Sequence, residues 1–200
     1  MRLVLQRVAS GKFVVGGVTV GEIKGRGLLV LVGIADADDD KAAEWAVRKI
    51  LGTRLWEDAA GKAWARSVQQ EGLEVLLVSQ FTLHAVLKGN KPDFHHAMPP
   101  ARSRPFWEKF VASMEKKLPG KVQQGQFGAL MQVHLVNDGP VTITLDSDAN
   151  ASPAPAPPPP APPPTSPPPP PPAAPARIGI AVAVAIVVLG LVHRCALVRS

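Results

Sequence analysis

The feature that most constrains this chain is a proline-rich tract between Pro153 and Pro175, which holds sixteen of the 22 prolines of the sequence. Proline has a fixed φ and no backbone N–H, so such a tract extends as polyproline II and cannot build a hydrophobic core. The sequence therefore predicts three parts. These are a folded domain over residues 1–148, a disordered proline-rich linker over residues 149–176, and an apolar C-terminal helix over residues 177–200.

The C-terminal part contains fifteen uncharged, mostly apolar residues that begin at Ile178 and end at Val192, between Arg177 and Arg194. As a helix this segment would span about 22 Å, less than the ~30 Å hydrocarbon core of a typical bilayer. Two interpretations stay open: a tail anchor in a thinner organelle membrane with the domain facing the cytosol, or an apolar tail that does not insert. The linker would hold the domain away from the lipid and offers sites for SH3- or WW-type partners.

The charge of the chain is mildly basic, +6 at pH 7 from 22 basic and 16 acidic residues. A surplus of this size suits transient contact with a phosphate backbone, but it is also common in proteins without a nucleic-acid partner. Cys195 is the only cysteine and lies in the tail, which excludes a disulfide, a thiolate zinc site and a cysteine nucleophile from the folded domain. The opening MRLVLQRV alternates as a strand does and is too short for a signal-peptide core, so we expect a cytoplasmic domain.

Hydrophobic periodicity predicts an α+β domain with a mainly antiparallel sheet and two helices. Gly16 and Gly17 indicate a hairpin turn, and the carboxylates between Asp36 and Asp40 can cap the first helix. The predicted strands cover residues 1–8, 12–15, 18–23, 28–34, 73–83, 127–136 and 141–145. The predicted helices cover residues 39–51 and 103–117.

Two segments place hydroxyl and amide groups where a plain sheet would hold apolar side chains. They are Ser79-Gln80-Phe81-Thr82-Leu83 and Asn137-Asp138-Gly139-Pro140-Val141-Thr142. Taken alone, the first is typical of a buried strand whose hydroxyls satisfy neighbouring backbone groups, and the second of a turn between strands. The sequence fixes no histidine base beside Ser79 or Thr82, which disfavours a triad-type nucleophile.

These segments resemble the SQFTL and NxGPxT signature motifs of the D-aminoacyl-tRNA deacylase family, in the same order and at about the same separation. The resemblance extends over residues 1 to about 147 and includes the segments QRV, GLLVLVGI, KGNKPDF and FGAxMQV. It implies the fold of that family, a barrel-like α+β domain. It also implies an editing hydrolase that cleaves D-amino acids and glycine from wrongly charged tRNA without a metal or cofactor.

The resemblance also implies the chemistry of the first motif. Backbone donors around Ser79, Gln80 and Phe81 would stabilise the negative charge that develops on the attacked carbonyl oxygen, assisted by the 2′-hydroxyl of the tRNA terminus. Thr82 matches a position considered as a nucleophile. We rank oxyanion stabilisation above covalent attack by Thr82, and both stay open at this point.

The second motif corresponds by resemblance to a chirality filter. Gly139 and Pro140 would be joined by a cis peptide bond and would face the active site of a partner subunit in a homodimer. Their carbonyls would leave no room for an L side chain, whereas glycine would be accepted. Asn137 belongs to the same motif, and Arg7 and Met131 match positions that pack near the dipeptide.

A third segment matches the family's pocket for the terminal adenosine of tRNA. Aromatic stacking and cationic contacts suit a single-stranded 3′ CCA end, although the residues alone would also fit a solvated basic loop. The matching residues predicted to bind the tRNA 3′ end are Lys88, Gly89, Pro92 and Phe94.

Histidines do not indicate a metal site. His95 and His96 are adjacent and would point apart on a strand, and no carboxylate or cysteine set has ligand spacing. His84 follows the first motif, where we expect an exposed residue at a strand end. A different class of function is a non-catalytic, membrane-tethered tRNA-binding or scaffold protein that recruits partners through the linker.

Overall fold

The computed structural model describes residues 1–148, which form an α+β domain. The predicted linker and apolar C-terminal segment lie outside the described residues. The helices are α1 (Asp40–Gly52), α2 (Pro100–Lys117) and one 3₁₀ helix (Phe81–His84). The strands are β1 (Arg2–Val15), β2 (Val18–Ile23), β3 (Gly27–Gly33), β4 (Arg54–Trp56), β5 (Arg66–Ser67), β6 (Glu74–Ser79), β7 (Val86–Lys88), β8 (Lys91–Asp93), β9 (Val122–Gln124) and β10 (Gln132–Asp146).

The main sheet has the strand order β10-β1-β3-β6-β9, and β2 pairs with β1 beyond the end of β3. The pairs that involve β1 are antiparallel, as predicted, but β3 with β6 and β6 with β9 are parallel. Parallel neighbours need a crossover connection. Here the crossover from β3 to β6 contains α1, and the crossover from β6 to β9 contains α2.

The larger core lies between the sheet and the two helices. Asp39 caps α1 by accepting a hydrogen bond of 3.0 Å from the Ala42 N–H, and the same helix buries Ala46 and Ile50. Helix α2 buries Trp107, Phe110 and Met114. It begins at Pro100, three residues before the predicted start, because proline suits the first helical position, where its missing N–H needs no partner.

The opposite face of the sheet encloses a second apolar cluster that includes Phe13, Leu29 and Leu76. The sheet curls around this cluster into a nearly closed, barrel-like shape. At Gly21 on β2, a Cβ atom would lie only 2.5 Å from the Gln124 carbonyl oxygen on β9. Glycine therefore allows the two ends of the curled sheet to approach each other.

Two predictions about the long strands were wrong. β1 runs without a break through residues 9–11, and β10 replaces the two strands predicted on either side of residues 137–140. Val8 pairs with Asn137 and Arg7 pairs with Val141, so the three residues between them form a bulge in β10 rather than a turn. Since β1 provides one continuous edge, the chain can resume pairing directly after the bulge.

The hairpin predicted at Gly16 and Gly17 is confirmed. Both residues have positive φ, 55° and 84°, as a two-residue turn between antiparallel strands requires. The strand predicted over residues 73–83 is shorter: β6 ends at Ser79, and the chain turns into the 3₁₀ helix.

Candidate active site

A cavity of about 860 Å³ opens where the parallel strands β3 and β6 end, beside the start of α2. Ser79 is the last residue of β6, where it pairs with Val32 and borders this cavity together with Gln80 and Phe81. The other lining residues are Leu31, Val32, Ile34, Val78, Phe94, Ala97, Met98, Pro99, Pro100, Ser103, Arg104, Phe127, Gly128, Ala129, Leu130, Met131 and Val133.

The backbone leaves the sheet directly after Ser79. The Gln80 N–H donates to the Val32 carbonyl at 2.8 Å, so this amide is already engaged. The 3₁₀ helix starts at Phe81 and no side chain caps it, which leaves the amides of its first residues without an intrahelical acceptor. The Gln80 side chain donates from Nε2 to Thr82 Oγ1 at 2.5 Å. The arrangement thus presents polar groups at one end of a largely apolar cavity.

Aromatic rings border the cavity. Phe81 is 57% exposed and meets Phe94 edge to face, with the ring centroids 5.0 Å apart. On another part of the rim, the Arg104 guanidinium lies over the Phe127 ring, with Cζ 5.1 Å from the centroid. Exposed ring faces and edges of this kind can contact the flat face of a nucleobase.

The cavity lining contains no carboxylate and no histidine in the part of the chain that the structure describes. A general base must reach the proton that it removes, within about 3 Å or through one water. The lining therefore provides no acid–base side chain to activate a hydroxyl nucleophile, and its polar contribution comes from hydroxyls, amides and one guanidinium.

The segment predicted to bind the tRNA 3′ end is more ordered than a plain loop. It forms a small hairpin of β7 and β8, turning at Gly89, whose φ is +62°. Of the four predicted residues, only Phe94 borders the cavity. Lys88 is exposed, but its Nζ is paired with the Asp93 carboxylate. Pro92 is exposed on the hairpin.

The bulge in β10 lies away from this cavity. Gly139 and Pro140 are joined by a cis peptide bond, as the resemblance implies, and both are exposed. Arg7 binds the bulge to the domain: Nε donates to the Asp138 carbonyl at 3.0 Å, and an Nη donates to the Leu55 carbonyl at 2.6 Å. The Asp138 carboxylate lies 3.2 Å from the same guanidinium.

Within one chain the residues of the predicted filter separate into two groups. Met131 borders the cavity beside Ser79, whereas Asn137, Gly139 and Pro140 do not. Arg7 and Asp138 line a different concavity, of about 690 Å³. The two signature motifs therefore do not meet at one site within a single described domain.

His84 is not the exposed strand-end residue that we expected. It is the last residue of the 3₁₀ helix, only 5% exposed, and its Nε2 is buried without a hydrogen-bond partner in the described structure. Burial lowers the pKa of His84, and the positive charges of Arg2 and the N-terminus lower it further. The interaction with the Gly33 backbone and the Asp38 carboxylate oppose this shift.

His95 and His96 do not point apart. They lie in a turn after β8, not on a strand, and their rings are in contact, with centroids 3.9 Å apart and planes tilted by 43°. Asp93 accepts hydrogen bonds from Lys88 and from the His95 backbone and ring, and these hold the pKa of its carboxyl well below its usual range.

Arg104 was missed by the sequence analysis. It precedes the buried Trp107 by three residues, so helical spacing could have placed it at the end of the buried face of α2. Phe127 was noted only as part of a matching segment, because nothing in its surroundings distinguishes a cavity wall from a core position.

Comparison with known proteins identifies the family. The family model described as D-Tyr-tRNA(Tyr) deacylase matches residues 4–146. The chain belongs to this deacylase family. D-aminoacyl-tRNA deacylase 1 of Mus musculus is 51% identical over 144 residues, covering 72% of this chain and 68% of the relative. D-aminoacyl-tRNA deacylase of Dictyostelium discoideum is 50% identical over 145 residues, covering 72% and 95%.

Two solved structures share the deacylase-family fold. One is named c-Myc DNA Unwinding Element Binding Protein; it is 50% identical, has a TM-score of 0.71, and the match covers 74% of this chain and 99% of that one. The other is described as a probable eukaryotic D-amino acid tRNA deacylase, at 20% identity, a TM-score of 0.59, and 72% and 97% coverage. The second likeness concerns the fold alone. These matches confirm the α+β, barrel-like domain and the family that the two motifs indicate.

Proposed function

We propose that the chain hydrolyses the ester bond of D-aminoacyl-tRNA, and of glycine mischarged on tRNA, and thereby proofreads chirality in translation. The single observation that carries this proposal is the cavity at Ser79–Phe81, which offers polar backbone and amide groups but no acid–base side chain among its described lining residues. Family membership supports the substrate class. The volume of the cavity, about 860 Å³, suits an aminoacylated nucleoside.

The reaction needs little from the protein beyond charge stabilisation. Water attacks the ester carbonyl, the carbonyl oxygen becomes negative, and the bond from the acyl carbon to the ribose oxygen then breaks. The products are the free amino acid and tRNA with a restored hydroxyl. The N–H of Phe81, which lines the cavity at the start of the 3₁₀ helix, is the candidate oxyanion donor, because the Gln80 N–H is already bound to Val32.

Thr82 acts in this scheme as a shaping residue, not as a nucleophile. Its hydroxyl accepts the hydrogen bond from Gln80, and no lining residue is placed to take its proton. The proton transfers then involve the solvent and the 2′-hydroxyl of the substrate. We propose that Ser79 and Gln80 border the acyl group.

The terminal adenosine would bind against the aromatic wall. Phe81 and Phe94 meet edge to face at the cavity rim, and their exposed ring faces suit a base that stacks. The ion pair between Lys88 and Asp93 keeps the hairpin of Gly89 and Pro92 closed beside Phe94.

We further propose that a second copy of the chain completes the site. β10 is an edge strand of the main sheet, it is fifteen residues long, and it exposes Val136 (58%). Leu130, next to this strand, is 96% exposed. A long apolar edge favours coverage by another chain. A two-fold dimer could bring Gly139 and Pro140 of each subunit to the open cavity of the other.

In this dimer the filter works by exclusion. A dipeptide held over the α-carbon of the substrate leaves space for hydrogen or for a D side chain but not for an L side chain. Arg7 donates hydrogen bonds to the Asp138 and Leu55 carbonyls, and these hold the backbone of the bulge, including the dipeptide, in place. We therefore expect glycine esters to be cleaved and L esters to be spared.

The test uses the purified full chain with D-tyrosyl-, glycyl- and L-tyrosyl-tRNA. The proposal expects release of the first two amino acids and not the third, with the protein dimeric at micromolar concentration by light scattering. Binding of all three tRNAs without turnover would favour the non-catalytic scaffold instead. A fully active monomer that retains chirality would refute the second-copy filter.

Attachment to a membrane is a separate proposal, which concerns residues 178–192. No helix among residues 1–148 is long and apolar enough to cross a bilayer. The composition of residues 178–192 and the flanking arginines support tethering to a thin membrane, with the domain in the cytoplasm and the proline-rich tract as a spacer. Alkaline carbonate extraction of cells expressing the tagged chain decides this: a protein recovered in the soluble fraction would exclude the tether.

A further inference from the structure

Arg104 is a cation at the rim of the cavity that no carboxylate neutralises. It lies in the first turns of α2 and is exposed. Among the residues that the structure describes, Arg104 forms no ion pair. Two other cations of α2 differ: Arg102 is paired with Asp36, and Lys109 is paired with Asp40 at 2.7 Å. Arg104 is therefore available to a ligand.

The contact with Phe127 orients this cation without using its hydrogen-bond donors. The attraction between a guanidinium and the face of an aromatic ring uses none of the guanidinium N–H groups, which stay available to a ligand. Here Cζ lies 5.1 Å from the Phe127 centroid. Two N–H groups of a guanidinium can donate to two oxygens of one phosphate. Contact with the ring also restricts the rotamers of the arginine, so less side-chain entropy is lost when a ligand binds.

The charge of the cavity lining indicates which kind of ligand group would bind to the Arg104 guanidinium. Arg104 is the only charged side chain among the described lining residues, so the cavity favours an anionic group at this rim. A charged group in the proposed substrate is the phosphodiester on the 5′ side of the terminal nucleoside. The aminoacyl end supplies no anion, since its ester is neutral and its α-amino group is cationic when protonated, so it belongs at the Ser79 end, away from Arg104.

We infer that Arg104, held by Phe127, binds the phosphodiester that precedes the terminal adenosine of the tRNA. This inference rests on the proposed function, since it assumes that an aminoacylated nucleotide occupies the cavity. Arg104 is then a positioning residue: it anchors the polynucleotide end and does not touch the reacting ester. Its contribution should appear in substrate binding and not in the chemical step.

The test compares R104M with R102M on two substrates. In both variants methionine keeps an apolar stem but removes the charge. Arg102 is the matched control, because it lies on the same helix as Arg104 but is paired with Asp36. One substrate is D-tyrosyl-tRNA, and the other is the D-tyrosyl ester of free adenosine, which has no phosphate. Thermal unfolding of each variant checks that the fold is retained.

We expect R104M to raise KM for D-tyrosyl-tRNA roughly tenfold or more with kcat unchanged, as the loss of a charged hydrogen bond predicts. KM and kcat for the adenosine ester should stay within about twofold. The slope of log KM against log salt for the tRNA should fall by about 0.7, the value for one single-strand phosphate contact. R102M should show none of these changes, and R104K should retain part of the salt dependence.

Equal effects of R104M on both substrates would overturn the inference, because a phosphate-free ester cannot sense a lost phosphate contact. An unchanged KM for the tRNA would overturn it as well. Failure of the proposed function would give a different result from failure of this inference, because the unmodified chain would then hydrolyse neither substrate.

Discussion

Replacing His84 by leucine is expected to remove a pH dependence from the stability of the domain. His84 is 5% exposed, its Nε2 has no hydrogen-bond partner in the described structure, and burial lowers the pKa of its ring from the ordinary 6.5. Below pH 6.5 the unfolded chain therefore takes up a proton that the folded chain resists. The stability that depends on neutral His84 is complete above pH 6.5 and is lost as the pH falls toward the lowered pKa.

The size of the effect follows from one proton. The free energy of unfolding can fall by at most about 1.4 kcal/mol for each pH unit below 6.5, until the folded state is also protonated. For a domain of about 150 residues, each kcal/mol corresponds to roughly 2–4 °C in Tm. At pH 7.5 the leucine variant should be as stable as the parent or more so, because a buried unpaired polar atom costs about 1–3 kcal/mol.

Urea unfolding of the full chain at several pH values between 7.5 and 5.0 measures this difference. The parent should lose stability relative to H84L as the pH falls, while H134Q, which changes an exposed histidine on β10, should follow the parent. Parallel pH profiles for the parent and H84L would refute the reasoning. They would mean that protonated His84 finds a partner or water in the folded state.

Three further outcomes follow from the structure. T82A should lower kcat by no more than about 100-fold and not to background, since a true nucleophile would cost several orders of magnitude; single-turnover hydrolysis of D-tyrosyl-tRNA measures it. R7M removes the bonds that hold Asp138 and should increase the cleavage of L-tyrosyl-tRNA relative to the D ester, with an unchanged ratio contradicting the filter. D39A should destabilise the domain by about 1 kcal/mol in urea without changing kcat, because it removes only the cap of α1.

The helices were predictable because their signals are local. The capping carboxylates before α1 and the spacing of Phe106, Phe110 and Met114 on α2 depend only on neighbours along the chain. The Gly16-Gly17 turn is equally local. The parallel pairing of β3 with β6 was not predictable, because a buried strand has the same apolar composition in either orientation.

The candidate site likewise has features that the sequence indicates and features that only the fold reveals. The sequence by itself showed which segments place hydroxyl and amide groups among apolar residues, where burial costs free energy unless the groups are hydrogen-bonded. It did not indicate that the Gln80 N–H is engaged by Val32, that Lys88 is neutralised by Asp93, or that Arg104 forms no ion pair with another described residue. Each of these depends on a backbone or side-chain neighbour that the fold supplies.

What the sequence determined is the family and the two motifs, because these are properties of the order of residues along the chain. Only the tertiary structure decided that Asp138 to Pro140 form a bulge in one long strand and that His84 is buried. The same residues could equally make a turn or an exposed strand end. The continuous pairing edge of β1 and the packing around Gly33 select between these alternatives, and both arise from contacts between residues far apart in the chain.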